Sequence, residues 1–319
     1  MKTKTLFAIL AGLFVVAVVS VGLLAANDDN PGRGRKPDKQ NPVHATDIEL
    51  VKKITIKGKP SWAQGGGGGK KKEVAATGAL GTTVGTSGTR YAVVVGISDY
   101  PGTNNDLEYC DDDADVLYDA LTTVYGFSDI NITLLKDGFA TSGAIITAIE
   151  SIGASASEGD EVVFFFSGHG ARGIADDGDK ERIDEAIVAH DGTNIVPIWD
   201  GELADAFSEF ATTRIIFIFD TCLAGGMAED LEEPGRVIAM ACGENGYSYE
   251  IQLDPEDPEI GNGEFTHYFV DLGIFQGNAH VEEHEYDEVT VEEAYDYAKA
   301  NCTLDRPTIS DEFENDLLP

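Results

Sequence analysis

The chain has 319 residues, 42% of them hydrophobic, with a formal net charge of -35, a length that holds one large or two ordinary domains. The charge is unevenly placed: residues 1–72 carry 13 Lys/Arg against 5 Asp/Glu, and residues 73–319 carry 9 against 52. So acidic a main body excludes nucleic acid as a partner, because phosphate binding needs a basic surface, and it favours cationic ligands and divalent metal ions.

Lys2 and Lys4 precede an uncharged run from Leu6 to Ala26, which as a helix would span roughly 30 Å. Residues 1–26 therefore read as an export signal, either cleaved or retained as a membrane anchor through residues 6–26, and the bulk of the chain is expected to be secreted or held outside the cell. Residues 27–89 read as a flexible pro-segment or linker. Within it, Asn27 to Gln40 has no apolar period, Ile48 to Ile56 can form one short strand, and five glycines precede Lys70, Lys71 and Lys72. The folded domain is placed at 90–310, followed by a tail at 311–319.

From Arg90 onward strands and helices alternate. Tyr91–Ile97 is a continuous apolar run, the mark of a strand buried on both faces. A helix is predicted over Asp113–Tyr125, with Ala114, Leu117, Tyr118 and Leu121 on one face. Ile130–Leu135 is the second strand, and Thr141 caps a helix with an apolar stripe of Ile145, Ala148, Ile149 and Ile152. Glu161–Phe166 is the third strand, Ala186–Ala189 belongs to a small hairpin, Asp200–Phe210 is helical, and Arg214–Phe219 and Val237–Ala241 are the fourth and fifth strands. Glu264–Phe275 and Val291–Cys302 are the last helices. The alternation predicts an α/β fold: a mostly parallel central sheet flanked by helices, with ligands beyond the carboxyl ends of the strands. No G-x-G-x-x-G or P-loop motif follows the first strand, so nucleotide binding has no support. Cys110, Cys222, Cys242 and Cys302 form no C-x-x-C pair, which argues against a cysteine-rich zinc site.

Two strand ends carry the chemistry. One runs from Phe164 to Phe166 into Ser167-Gly168-His169-Gly170. The other runs from Ile216 to Phe219 into Asp220-Thr221-Cys222. If the strands are neighbours in a parallel sheet, a thiol and an imidazole emerge at one sheet edge, as a nucleophile and its base require. The amides of Gly170 and Cys222 could then hold an oxyanion. Taken alone, either residue reads as ordinary core.

These motifs resemble the histidine and cysteine motifs of caspase-like cysteine peptidases (peptidase C14), and within them metacaspases. Leu107 to Ala114, Asp184-Glu185-Ala186-Ile187, Gly263-Glu264-Phe265-Thr266 and Arg306-Pro307 add to the likeness, which covers about residues 90–310. The resemblance implies a caspase-like α/β/α sandwich and a cysteine endopeptidase acting on proteins or peptides. It assigns Cys222 as nucleophile, His169 as acid/base, and Cys110, Asp113, Ser167 and Asp220 as the pocket for the residue before the scissile bond. Two carboxylates in an enclosed pocket select Arg or Lys. No cofactor is needed for the chemistry, but the resemblance implies Ca2+ as an activator, held by Asp184, Asp200 and one of Glu229 or Asp230, hard oxygen ligands of the right kind. The chain departs from the family pattern at Trp199 and at Leu223-Ala224-Gly225-Gly226. Asp176-Asp177-Gly178-Asp179 is a second acidic loop, and His280 and His284 lie four apart in an acidic stretch. Self-cleavage at Lys70–Lys72 would release the domain as from a zymogen. The alternatives are a non-enzymatic acidic calcium-binding module, or a peptidase of this fold with Asp or Asn specificity.

Overall fold

The computed structural model describes residues 43–57, 79–82, 88–177, 183–281, 288–313 and 315–317. Strands β1 (Ala45–Val51), β2 (Ile54–Ile56) and β3 (Ala79–Thr82) precede β4 (Arg90–Gly96), α1 (Cys110–Thr123), β5 (Ile132–Lys136), α2 (Ser142–Gly153), β6 (Glu161–Ser167) and β7 (Gly170–Ala175). Next come β8 (Asp184–His190), β9 (Ile195–Trp199), α3 (Asp200–Phe207), β10 (Ile215–Asp220), α4 (Ala228–Leu231), β11 (Arg236–Met240), β12 (Tyr249–Gln252) and β13 (Gly261–Gly263). The chain continues with α5 (Glu264–Thr266), a π-helical segment His267–Phe275, α6 (Val291–Asn301), β14 (Thr308–Asp311) and β15 (Asn315–Leu317).

The central sheet has six strands in the order β14-β11-β10-β6-β4-β5. Five run parallel, and β14 closes the edge antiparallel to β11. Because side chains alternate along a strand, each apolar run feeds two cores. Val93, Val95, Phe164, Phe166, Phe217 and Phe219 face α2 and α3, while Ala92, Val94, Val163, Phe165, Ile216 and Ile218 face α1, the π-helical segment and α6. This is the sandwich expected for the fold class. Phe164 is fully buried and packs against Phe207, Phe217 and Phe219 at ring-centroid distances of 5.6, 6.2 and 5.9 Å. Phe164→Ala is expected to cost about 3–5 kcal/mol, seen as a lower urea midpoint with an unchanged m-value.

The predicted elements from the first strand onward are all present, with ends shifted by a few residues. Helix α1 starts three residues early, at Cys110, and places Asp111, Asp112 and Asp113 in its first turn, where their negative charge complements the positive end of the helix dipole. The hairpin around Ala186–Ala189 is the full pair β8–β9, and one predicted helix is instead a turn of α5 followed by the π-helical segment. The four cysteines are unpaired.

The expected domain limits need correction. Residues 45–56 lie in the stretch read as a linker, yet β1 pairs antiparallel with β7, and β2 pairs parallel with β12. The expected single strand is thus two, broken at Lys52-Lys53, each adding to a different small sheet. Likewise β3, also within the linker stretch, pairs with β15 in the expected tail. Backbone hydrogen bonds to distant partners make these segments part of the fold. The apolar run 6–26 and Lys70–Lys72 lie outside the described residues, as does His284. Among the described residues no helix is long and apolar enough to cross a membrane.

Candidate active site

Strands β6 and β10 are parallel neighbours, and their register sets Ser167 directly opposite Asp220. His169 and Cys222, each two residues further on, therefore leave the sheet at the same edge. Gly170 runs so close to the second turn that a Cβ there would overlap the Cys222 carbonyl; only glycine allows that approach. After Cys222 the chain turns sharply, with Leu223 at φ 63, a left-handed conformation that costs a leucine roughly 1 kcal/mol or more. Successive turn hydrogen bonds, Gly226 N–H to Leu223 O and Met227 N–H to Ala224 O, then lead into α4. The Leu223–Gly226 stretch is thus a tight strained turn that fixes the thiol.

The imidazole is held on every side. Tyr100 stacks on it at 4.8 Å, accepts the His169 backbone N–H at 3.0 Å and donates to the Val188 carbonyl at 2.9 Å. Nδ1 accepts the Lys53 backbone N–H at 3.0 Å. The ring proton is therefore on Nε2, which donates to the Asn105 carbonyl at 2.8 Å. Burial pushes the His169 pKa down to about 4. Cys222 Sγ accepts the Ser248 N–H at 3.3 Å and donates to the Lys52 carbonyl at 3.4 Å. Burial raises its pKa to about 11, with the Ser248 N–H opposing. Thiol and imidazole are both neutral in this state. The peptide between Lys52 and Lys53 stands between them, its oxygen on the sulfur and its N–H on the ring.

Beside this pair lies a closed acidic pocket, and Lys53 fills it. Its Nζ is 2.7 Å from Asp220 Oδ1 and 3.7 Å from Asp113 Oδ2, with all three side chains fully buried. It also donates to Ser167 Oγ and to the Asp220 carbonyl, each at 3.1 Å. The carboxylates are fixed from behind. Asp220 accepts from Ser248 Oγ at 2.6 Å, and from Thr266 Oγ1 and N–H at 2.7 and 3.0 Å. Asp113 accepts from Ser167 Oγ at 2.7 Å, Gly263 N–H at 2.8 Å and Asn262 Nδ2 at 3.1 Å. Burial raises the Asp113 pKa to about 7, with Lys53 opposing. Cys110 turns to Glu250 Oε1 at 3.4 Å rather than to the ammonium. Glu250 also accepts the Tyr109 N–H at 2.7 Å and the Thr55 hydroxyl at 2.8 Å, tying β2 and the start of α1 to β12.

The structure thus brings together His169, Gly170, Cys222, Asp113, Ser167 and Asp220, with Cys110 at the pocket's edge. Sequence reading missed Lys53, Tyr100, Asn105, Ser248, Glu250 and Asn262. Of these only Lys53 left a signal, as a basic residue inside a segment with apolar neighbours.

The residues assigned to calcium lie at a separate place. Asp200, at the start of α3, is pushed up to about pKa 9 by burial and by Asp177, Asp230 and Glu185. Gly201 is so tightly enclosed that a Cβ would meet the carboxylates of Asp177 and Asp230. Asp184 is fully buried on β8 and acts on Glu185 electrostatically, whereas Glu229 is exposed. The second acidic loop therefore contributes Asp177 to the same cluster. These are hard oxygen donors of the kind calcium takes, but among the described residues the only acidic or thiol group whose ligand atoms converge within 4.8 Å is Glu264, Cys302 and Asp305. A third grouping, Glu264, Cys302 and Asp305, has its carboxylates taken up by backbone. Glu264 accepts from the amides of Thr303, Leu304 and Asp305 at 3.0, 2.8 and 2.7 Å, and Asp305 from those of Phe265 and Tyr249 at 2.9 and 3.1 Å. It clamps the 303–305 turn against α5 and β12.

A parallel sheet whose carboxyl edge carries a cysteine and a histidine, each two residues past paired strand ends, is an α/β arrangement that can pair a nucleophile with its base, and it agrees with the caspase-like fold. The protein-family description "Metacaspase, peptidase C14 domain" matches residues 90–231. The chain is 35% identical over 153 residues to Metacaspase-4 of Arabidopsis thaliana, covering 46% of this chain and 36% of that one. It is 31% identical over 148 residues to Metacaspase-1 of Saccharomyces cerevisiae (strain ATCC 204508 / S288c), covering 44% and 34%. The chain thus spans little more than a third of either relative's length. In structure it resembles protein GSU0716 from Geobacter sulfurreducens, with a TM-score of 0.52 and 16% identity over 72% of this chain and 95% of that one, a likeness of fold alone. Residues 90–231 thus match the C14 peptidases and, within them, the metacaspases. The matched stretch runs from β4 to α4, so Lys53, Ser248, Glu250 and Asn262 fall outside it.

Proposed function

We propose that this chain is an exported cysteine endopeptidase that hydrolyses the bond after Arg or Lys. The observation that carries this reading is the Lys53 ammonium seated on Asp220 and Asp113 beside the Cys222 thiol. The pocket has already selected a basic side chain from the protein's own sequence. An Asp or Asn side chain there would face two carboxylates, which supports Arg or Lys over the acidic or amide alternatives.

When a substrate displaces Lys52-Lys53, Nδ1 of His169 is freed to take the Cys222 proton. The thiolate attacks the carbonyl carbon of the basic residue, and the Gly170 and Cys222 amides receive the oxyanion. His169 passes its proton to the leaving amine as the C–N bond breaks, leaving a thioester on Cys222. A water molecule then gives a proton to His169 and attacks the thioester, the acid departs, and the thiol is restored. The Asn105 carbonyl holds Nε2–H throughout, and Tyr100 keeps the ring plane.

Calcium would be held by Asp200, Asp184, Asp230 and Asp177, where it would neutralise the crowded carboxylates and stiffen the loops between β7, β8 and α4. Addition of Ca2+ is then expected to raise the melting temperature, and Asp200→Asn to abolish that rise; an equal rise in both would remove Asp200 from the site. Export rests on the run from Leu6 to Ala26, which also offers an anchor, and self-cleavage at Lys70–Lys72 remains part of the reading. Replacing those three lysines with Gln should leave the chain uncut there.

The test is hydrolysis of reporter peptides with Arg, Lys, Asp or Asn before the scissile bond, by the full chain and its Lys53→Ala variant, with and without Ca2+. Cleavage after Arg and Lys supports the proposal. Cleavage only after Asp or Asn refutes the pocket, and cleavage of none favours a non-catalytic calcium-binding module.

A further inference from the structure

Residues 51–56 cross the active site in the wrong chain direction. This deepens the proposed function and rests on its assignment of the acidic pocket to the residue whose carbonyl is attacked. For cleavage after a basic residue, that residue's own carbonyl must stand at Cys222 and the next amide nitrogen at His169. Lys53 presents the opposite side: its own N–H is on His169 Nδ1 at 3.0 Å, and the carbonyl on Cys222 belongs to Lys52. The chain beyond Lys53 then leaves along β12 in parallel, with Ile54 N–H donating to the Ser248 carbonyl at 3.1 Å. A productive substrate, with its preceding residues on that strand, would run antiparallel to β12.

Neither bond beside Lys53 is in position to break. In the Lys52–Lys53 bond the carbonyl oxygen points at the sulfur as acceptor of the S–H. Attack on the carbon needs that oxygen turned away, toward the oxyanion donors, and Gly170 is already paired with Val51 in the β1–β7 ladder. In the Lys53–Ile54 bond the leaving nitrogen is the one held by Ser248, away from the imidazole. Lys53 is nonetheless fully buried and ion-paired, and two flanking ladders hold it in place.

We propose that residues 51–56 form a reverse-running plug: Lys53 occupies the specificity pocket with the recognition of a substrate, while its chain polarity makes the segment an uncleaved inhibitor of its own active site. Activation then requires β1–β2 to be displaced, and cleavage elsewhere in the pro-segment does not by itself open the site. The matched residues 90–231 contain Asp113, Ser167 and Asp220 but neither β2 nor β12, so the plug and the strand it pairs with lie outside the match.

The experiment uses the full chain, with Lys53→Ala, the volume-matched Lys53→Met and the charge-preserving Lys53→Arg. Three quantities are read: alkylation of Cys222 by iodoacetamide, followed by peptide mass mapping; hydrolysis of the Arg and Lys reporter peptides; and the terminal masses of the chain after prolonged incubation at neutral pH. The expected result is slow alkylation in the parent and in Lys53→Arg, a rise of about tenfold or more in Lys53→Ala and Lys53→Met, and intact bonds on both sides of Lys53 in the parent. A parent fragment that begins or ends at Lys53 would overturn the plug, as would equal alkylation rates in all four proteins. Faster alkylation in the two neutral variants without reporter hydrolysis would uphold the plug and sink the peptidase reading instead. Melting curves of each variant show which are folded, and Lys53→Met covers the case in which the cavity left by alanine prevents folding.

Discussion

Cys222→Ala leaves no measurable hydrolysis of Arg or Lys reporters, an expected loss on the order of 10⁴-fold or more. Stability should change by only about 1 kcal/mol, because a single buried sulfur is removed. The reason is geometric as well as chemical. Cys222 is the residue that the β10 turn presents at the sheet edge, locked by Leu223 at φ 63 and by the Ser248 N–H on its sulfur. The other three cysteines cannot substitute. Cys110 bonds to Glu250, Cys242 to the Thr221 carbonyl and Cys302 to the Glu264 carbonyl. His169→Ala should fall nearly as far, and the double variant no further, since the two residues act as one unit. Steady-state kinetics in the Lys53→Ala background, where the site is open, gives the cleanest reading. Residual hydrolysis within tenfold of the parent in Cys222→Ala would require a different nucleophile.

The second large effect belongs to Asp220. Its Oδ1 is the nearest carboxylate atom to the bound ammonium at 2.7 Å, against 3.7 Å for Asp113. Removing one partner of a buried ion pair costs about 3–5 kcal/mol, so Asp220→Asn should lower kcat/KM for Arg and Lys substrates by about 10² to 10⁴-fold. The amide keeps the shape and still meets Thr266 and Ser248, which separates loss of charge from loss of structure. Asp113→Asn should cost less, because its carboxylate stands further from the ammonium and is already shared among Ser167, Asn262 and Gly263. The same Asp220→Asn change should loosen Lys53 and speed alkylation of Cys222. Loss of folding would move both readouts the same way, because Cys222 is buried, so a melting curve of Asp220→Asn separates a loosened plug from an unfolded chain. Equal kcat/KM for Arg reporters in the parent and Asp220→Asn would dismiss Asp220 as the selecting charge.

The central sheet was legible because its strands are buried on both faces and so read as unbroken apolar runs. The facing of Ser167 and Asp220 follows once β6 and β10 are neighbours, since each motif places its polar residue two before the reactive one. Asp113 was visible only through the family likeness; on its own it is one of three aspartates at a helix start. The pro-segment was misread for a physical reason. Lys52, Lys53, Lys57 and Lys59 form a basic stretch that resembles a solvated linker, and the burial of Lys53 depends on Asp220, 167 residues further on. Local pattern carries no trace of so distant a partner. Ser248 and Glu250 were hidden likewise, as single polar residues on a short strand and its approach. Asp177 was indistinguishable from the other acids of its loop until the fold set it beside Asp200.

Nucleophile, basic-residue pocket and plug meet in one site. A peptide acyloxymethyl ketone carrying Arg at the reacting position tests all three, read by intact mass and peptide mapping on the full chain and on Lys53→Ala. A single label on Cys222 is expected, slow in the parent, about tenfold or more faster in Lys53→Ala, and absent when Arg is replaced by Asp. A label on Cys110, Cys242 or Cys302, or labelling by the Asp reagent as fast as by the Arg reagent, would contradict it.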